Sequence, residues 1–227
     1  MKPERPRLLI ATTNKGKAAE IAAGLRGVPY EIVTLGDVGP LGVCREGEVS
    51  FAENARRKAL FYSRRTGLLT LAEDSGLEVA ALDGAPGVRS ARFAGSGADD
   101  ASNNRKTLRL LRGFSRERRR GRFVSWMALA RDGKILKVVR GVVRGTIARE
   151  EVGSRGFGYD PIFYYHPFRK TFGQVSPRAK NAVSHRGRAL AVMSAFLRGR
   201  PPKRRRGDRP PAPRRPPAAG PRRRSGS

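Results

Sequence analysis

Leu68-Leu69-Thr70-Leu71-Ala72-Glu73-Asp74-Ser75-Gly76-Leu77 is the stretch on which the reading of this chain turns. An apolar run of strand type ends in two adjacent carboxylates, a Ser-Gly pair follows, and apolar residues resume. The pattern predicts a buried strand ending at Asp74, a turn at Ser75-Gly76, and a further strand over Leu77–Ala80. A carboxylate at a strand end is held rigidly at the mouth of a cleft, where open α/β sheets bind ligands. A polar turn with no further duty accounts for the same residues.

Upstream, Arg7-Leu8-Leu9-Ile10-Ala11 reads as a first buried strand, followed by the turn Thr12-Thr13-Asn14-Lys15-Gly16-Lys17 and a helix to about Leu25. The turn sets hydroxyls, an amide, a glycine and two cations at a helix N-terminus, where free N–H groups and the dipole attract anions. It is a candidate triphosphate cradle, and an ordinary Thr/Asn cap explains the same residues. It is not a P-loop, because Ala18 follows Lys17 where Ser or Thr is required. A second strand near Tyr30–Thr34 leads to a Gly/Pro-broken loop with Glu46 and Glu48, then a helix over Ser50–Thr66. Ser50-Phe51-Ala52-Glu53 has the form of a capping box, which gives Glu53 a structural duty. Lys58 reads as a solvated face residue. Glu46, folded back towards Asp74, would complete a hard-oxygen site of the kind Mg²⁺ takes, with one or two carboxylates plus substrate phosphates.

Downstream, Gly84–Gly87 and Ser90–Gly95 form a glycine-rich connection, and a helix spans about Asp99–Leu111. Phe123–Ala130 and Ile135–Val143, the latter extended to Ile147, read as antiparallel strands joined at Arg131-Asp132-Gly133. Gly156-Phe157-Gly158-Tyr159-Asp160 then puts two aromatics and an acid on a glycine loop, suited either to a core edge or to a base platform in which Asp160 accepts from ring N–H groups. Near the end, Pro177 suits the first turn of a helix and Ser184 caps a last helix to Leu197. His185 and Arg186 fall in that helix's first turn, where the dipole disfavours cations, so a ligand carrying an anion or a carbonyl is expected beside them.

The chain has 227 residues, one cysteine and a formal charge of +29. Its length suits one large domain or two lobes, and a lone Cys44 asks for no oxidising compartment. No apolar run is long enough for a membrane span or a secretory leader, so a cytoplasmic location is expected. The charge is uneven. Residues 198–227 hold 12 Lys/Arg against Asp208, 8 of the 16 prolines, and no Ile, Leu, Val, Phe, Tyr or Trp. They are expected to be a disordered basic tail, distinct from a domain over residues 1–197; a solvated tail with no partner accounts for it, and Lys203-Arg204-Arg205-Arg206 also suits non-specific binding of nucleic acid, an anionic lipid or a nuclear import receptor.

Taken together, Thr12-x-Asn14-x-x-Lys17, Phe51-x-Glu53-Asn54-Ala55 with Lys58, Asp74-Ser75-Gly76-Leu77, Gly156-Phe157-Gly158-Tyr159-Asp160-Pro161 and Lys180-x-Ala182-x-Ser184-His185-Arg186-Gly187 resemble, in order and spacing, the non-standard purine nucleoside triphosphate pyrophosphatases. These inosine/xanthosine triphosphate pyrophosphatases clear deaminated purines from the nucleotide pool. The resemblance spans about residues 7–197. It implies an α/β fold with an elongated mixed sheet flanked by helices, two lobes with the active cleft between them, and a homodimer. It also implies Mg²⁺-dependent cleavage of a nucleoside triphosphate to monophosphate and pyrophosphate. By the same resemblance Thr12, Thr13, Asn14, Lys15, Gly16 and Lys17 hold phosphates, and Asp74 is metal ligand and general base. Ser75 touches substrate, Phe157, Gly158, Tyr159 and Asp160 border the base, and Lys180, His185 and Arg186 complete the nucleotide site. The metal-binding glutamate is ambiguous by position, with Glu46 preferred to Glu48. Two other readings share some of these features: a related fold acting on other modified nucleotides, and a basic RNA-binding protein, which would leave Glu73-Asp74 unexplained.

Overall fold

The computed structural model describes residues 5–199. The expected disordered tail therefore lies outside the described residues, apart from Arg198 and Gly199. One seven-stranded sheet runs in the order β2-β1-β3-β4-β5-β6-β7. Its strands are β1 (Arg7–Ala11), β2 (Glu31–Thr34), β3 (Leu69–Val79), β4 (Arg120–Arg131), β5 (Lys134–Ile147), β6 (Phe163–Tyr165) and β7 (Lys170–Thr171). β2, β1 and β3 are parallel, and every pairing from β3 onward is antiparallel. The sheet is thus mixed, as expected.

The helices are α1 (Lys15–Gly24), α2 (Phe51–Thr66), α3 (Asp100–Leu110), α4 (Pro177–Val183) and α5 (His185–Leu197). Strand alternation sends Leu8, Ile10, Leu71 and Met127 to one face, against α1 and α5. Leu9, Ala11, Ala72, Ala128 and Ala130 go to the other, where small side chains let α2 approach closely. A separate core forms around the far ends of β3, β4 and β5, from Leu77, Val79, Phe123, Val143, Phe163 and Phe172. Two cores on shared strands make two lobes. Where the strands pass between them, β3 carries Glu73, Asp74 and Ser75, and β4 carries the buried Ser125.

The predicted turn at Ser75-Gly76 is absent: β3 is one strand, paired to β4 without a break from Thr70–Ala130 to Val79–Gly121. The long partner β4 supplies hydrogen bonds through the polar stretch, and that partner is distant in sequence. Asp74 lies mid-strand opposite Trp126, yet just beyond Ala72, where the parallel neighbour β1 ends at Ala11. The ligand-binding address of an α/β sheet survives because the parallel half stops there. Gly76 serves close approach, since a Cβ would stand 2.2 Å from the Ser90 Oγ. The β4–β5 hairpin turns at Asp132 and Gly133, with φ of 49° and 70°, the left-handed pair that a two-residue turn demands. Among the described residues no helix is long and apolar enough to cross a membrane.

Candidate active site

Adjacent positions on a strand face opposite sides of the sheet, so Glu73 and Asp74 serve two different clusters. Glu73 points towards α1 and α5. It accepts from Arg186 Nε at 2.9 and 3.1 Å and from the Ser125 hydroxyl at 2.6 Å, with Lys17 Nζ at 4.0 Å. Arg186 donates further to Glu20 and, at 3.0 Å, to the Ser75 Oγ. Lys180 reaches Glu20 at 2.8 Å and also bonds Asp160. Glu20 of α1 thus ties both cations of the α4–α5 segment together. Burial pushes the Glu73 carboxyl up, but the Arg186 and Lys17 charges outweigh it and hold the group below its ordinary range. Burial works the opposite way on Lys17, lowering its ammonium despite Glu73.

Arg186 corrects one expectation. Its charge at the start of α5 is met by Glu73 and Glu20 within the chain, which leave its guanidinium raised against the penalty of burial. Of its five N–H groups, three are committed. His185 is no cation: burial and the neighbouring Arg186, Lys180 and Lys17 charges hold it well below 6.5. Its ring stacks on Phe123, with centroids 4.7 Å apart.

Asp74 faces α2. Asn54 Nδ2 donates to it at 3.0 Å, and Lys58 Nζ lies 3.5 Å from one oxygen and 2.9 Å from Glu46. Asn54 also grips the loop before α2, accepting from Gly47 N–H at 2.8 Å and donating to Gly47 C=O at 3.0 Å. Loop and strand carboxylates are therefore brought together by two α2 side chains. Lys58 is not the solvated residue its spacing suggested, and the Glu46 and Asp74 charges raise its ammonium above normal against the penalty of burial. Asp74 is raised by burial, with Lys58 only partly offsetting it. Glu48 turns away to Arg89 at 2.6 Å and Arg92 at 3.4 Å. Ser50 caps α2, but Glu53 pairs with Arg57 at 2.7 Å instead of closing a capping box.

Among the described residues no group of three or more His, Cys, Asp or Glu side chains forms a metal cage. The donor set here, Glu46 and Asp74 sharing one Lys58 ammonium, fits a cation that takes two carboxylates and completes its shell with water and phosphate.

On the far wall, Phe157, Gly158, Tyr159 and Asp160 line a cleft together with Asn14, Lys17, Ser75, Lys180, His185 and Arg186. The Phe157 ring lies over Gly16 and faces the Lys180 and Arg186 cations, 4.6 and 5.5 Å from its centroid. Asp160 is not free for ring N–H groups, since it accepts from Phe157 N–H at 3.0 Å and from Lys180. The Tyr159 hydroxyl donates to Ser90 C=O at 2.8 Å, so this ring belongs to the second core while its edge borders the cleft. Two residues of α3 that the motifs passed over hold the loop: Asp100 accepts from Gly158 N–H at 2.6 Å, and Asn104 donates to Gly158 C=O at 3.1 Å.

Of the phosphate turn, Asn14 and Lys17 line the cleft and Gly16 packs under Phe157, whereas Thr12, Thr13 and Lys15 are outside its lining. Asn14 is the α1 cap, accepting from Lys17 N–H at 2.9 Å, so the capping role is present along with the cleft position. Motif reading quoted Asn54 without giving it a role, and it missed Glu20, Asp100 and Asn104. Glu20 alone carried a signal, three residues after Lys17 on the same helical face.

Comparison with known proteins places the whole fold in a family. A model of the Ham1 family matches residues 8–196. The chain is 45% identical to a dITP/XTP pyrophosphatase of Desulforamulus reducens over 84% of its own length and 95% of the relative's. It is 48% identical to a dITP/XTP pyrophosphatase of Mycobacterium tuberculosis, over 85% and 95%. The solved structure of a HAM1 protein from Coxiella burnetii superposes with a TM-score of 0.77 at 39% identity, covering 85% of this chain and 98% of that one. The Staphylococcus aureus Ham1 protein gives 0.76 at 36% identity, over 85% and 98%. With a family model over residues 8–196 and relatives of this identity and coverage, the chain belongs to the Ham1 family.

Proposed function

We infer that this protein hydrolyses the triphosphates of deaminated purines, ITP, dITP and XTP, to the monophosphate and pyrophosphate. The observation that carries the reading is the placement of Asp74, a carboxyl raised by burial and paired with Lys58, next in the chain to Ser75, which lines a cleft with Lys17, Lys180 and Arg186. Attack of water on a phosphorus flanked by anionic oxygens calls for charge neutralisation and a positioned base more than for covalent help. Asp74 takes the proton of the attacking water, and its raised affinity for protons suits that role at neutral pH. Lys17 and the α1 N-terminus receive phosphate oxygens. Glu46 and Asp74 would hold Mg²⁺, which supplies charge neutralisation and orientation of the triphosphate when bound.

The base lies between Phe157 and the second core. Arg186 turns remaining N–H donors towards the 6-oxo group of hypoxanthine or xanthine, while the 6-amino donor of adenine finds no acceptor there. An unmatched buried donor costs about 1–3 kcal/mol, which predicts a preference for ITP over ATP of roughly 5- to 150-fold in kcat/KM. A homodimer, implied by the family resemblance, and the cytoplasmic location expected from the apolar pattern of the sequence complete the reading.

The test is a panel of purine and pyrimidine nucleoside triphosphates with Mg²⁺, scoring released pyrophosphate against released phosphate. Pyrophosphate from ITP and XTP is expected. Free phosphate as primary product, or a pyrimidine preference, would overturn the assignment.

A further inference from the structure

Away from the cleft, three adjoining hollows run along the outer side of α3 to the end of β5. The first is lined by Arg105, Lys106 and Arg109, with Ala94 and Ser102. The next shares Arg105 and Arg109 and adds Arg112, Arg119 and Arg149. The last shares Arg119 and Arg149 and adds Arg116 and Tyr164. No Asp or Glu lines any of the three, and none of these cations has an ion pair among the described residues.

The row is built, not merely scattered. Arg105 and Arg109 share one side of α3 at helical spacing and Arg112 follows in the turn just after the helix, away from the face whose Asp100 and Asn104 hold the cleft loop. Arg119 is buried and donates to the carbonyls of Leu111, Ile147 and Ala148, fixing the end of α3 to the end of β5 as the groove floor. Burial and then the facing Arg149 charge lower the Arg119 guanidinium, a like-charge juxtaposition with no counter-anion. Tyr164 closes the groove with its ring 5.7 Å below the Arg116 guanidinium.

We propose that this groove binds the phosphate backbone of single-stranded nucleic acid, without sequence preference and separately from the catalytic cleft. A lone phosphate calls for converging donors, whereas these cations are strung in a line. The α3 stripe alone covers roughly 10 Å at ~1.5 Å per residue, a row that follows a phosphate backbone instead of enclosing one anion. Guanidinium forks match phosphate oxygens, and Tyr164 offers one face for a base to stack on. The groove shares no lining residue with the cleft, so this inference does not depend on the pyrophosphatase reading.

The test uses the full chain and a fluorescein-labelled oligothymidylate, followed by anisotropy across a salt series. Arg105, Arg109 and Arg112 are replaced together by Ser, and a control replaces Arg26, Arg131 and Lys134, equal in charge and remote from the groove. Loss of three contacts is expected to reduce the slope of log K against log salt by about 2, at ~0.7 per phosphate on a single strand, with the control slope unchanged. Tyr164→Ala should weaken binding without altering the slope, and hydrolysis of ITP should be unchanged in the groove variant. Equal losses in groove and control variants would reduce the effect to bulk charge and overturn the proposal. Equally effective competition by polyglutamate of the same charge would overturn the assignment to nucleic acid.

Discussion

Asp74 and His185 are both buried and titratable, and the fold shifts them in ways that experiment can separate. Asp74→Asn keeps the shape but cannot take a proton, so turnover should fall by about 10²–10⁴, the span of lost general-base catalysis, with an unchanged melting temperature. Near-parental turnover at saturating Mg²⁺ would remove Asp74 from the chemistry. Glu46→Gln should raise the Mg²⁺ concentration needed for half-maximal rate while Glu48→Gln leaves it alone, because Glu46 shares Lys58 with Asp74 and Glu48 is engaged by Arg89. The opposite result would move the metal to Glu48. His185 is held neutral, its proton affinity depressed well below 6.5. Below that pH the unfolded chain takes a proton there that the folded chain refuses. Stability contributed by neutral His185 is therefore present above the unfolded value and lost as pH falls through it, by up to about 1.4 kcal/mol per pH unit. His185→Phe, which preserves stacking on Phe123, should flatten the dependence of urea-unfolding stability on pH between 6.5 and 5. A parental slope in the variant would rule this out.

Among the elements, α3 serves the site mainly by holding other segments, although its Asp100 also lines the cleft. Its first turns hold both walls of the cleft on one side: Asp100 and Asn104 take the two polar groups of Gly158. Asn103 accepts from Ala94 N–H at 2.8 Å and donates to Ala91 C=O at 3.3 Å. Removing one such bond costs about 0.5–1.5 kcal/mol. Asp100→Ala should therefore raise KM for ITP by up to roughly tenfold with a smaller change in kcat, and Asp100→Asn, which keeps an acceptor oxygen, should restore it. Equal KM values for all three proteins would mean that the loop holds itself through Asp160. Placement of α5 depends on a different device. A Cβ on Gly141 would lie 1.9 Å from His185 C=O, so the bare backbone of β5 is what lets the start of α5, and Arg186 with it, reach Glu73.

For the molecule as a whole, the charge divides by location. Residues 200–227 carry eleven Lys/Arg against Asp208 and no large apolar side chain. Arg198, by contrast, bonds the carbonyls of Arg26 and Gly27 at 2.9 and 3.3 Å, which places the useful cut after Gly199. Deleting residues 200–227 should leave turnover and melting temperature within experimental error while lowering adsorption to a nucleic-acid column. A large loss of either would show that the segment supports the catalytic domain.

The primary structure by itself determined the elements and their caps, because hydrophobic period and capping chemistry are local. β1, the α1 cap at Asn14, the β4–β5 hairpin and the Ser184 cap of α5 are all legible as written. It also determined the family, through motifs whose order is a property of the chain. What only the tertiary structure decided is pairing between distant segments. β4 turns the supposed Ser75-Gly76 bend into continuous strand, and α2 carries Lys58 to Glu46 and Asp74. Glu20 and Glu73, from α1 and β3, neutralise Arg186 from α5. Each outcome depends on which charge or backbone group a side chain meets after the sheet has formed, and no local pattern encodes that meeting.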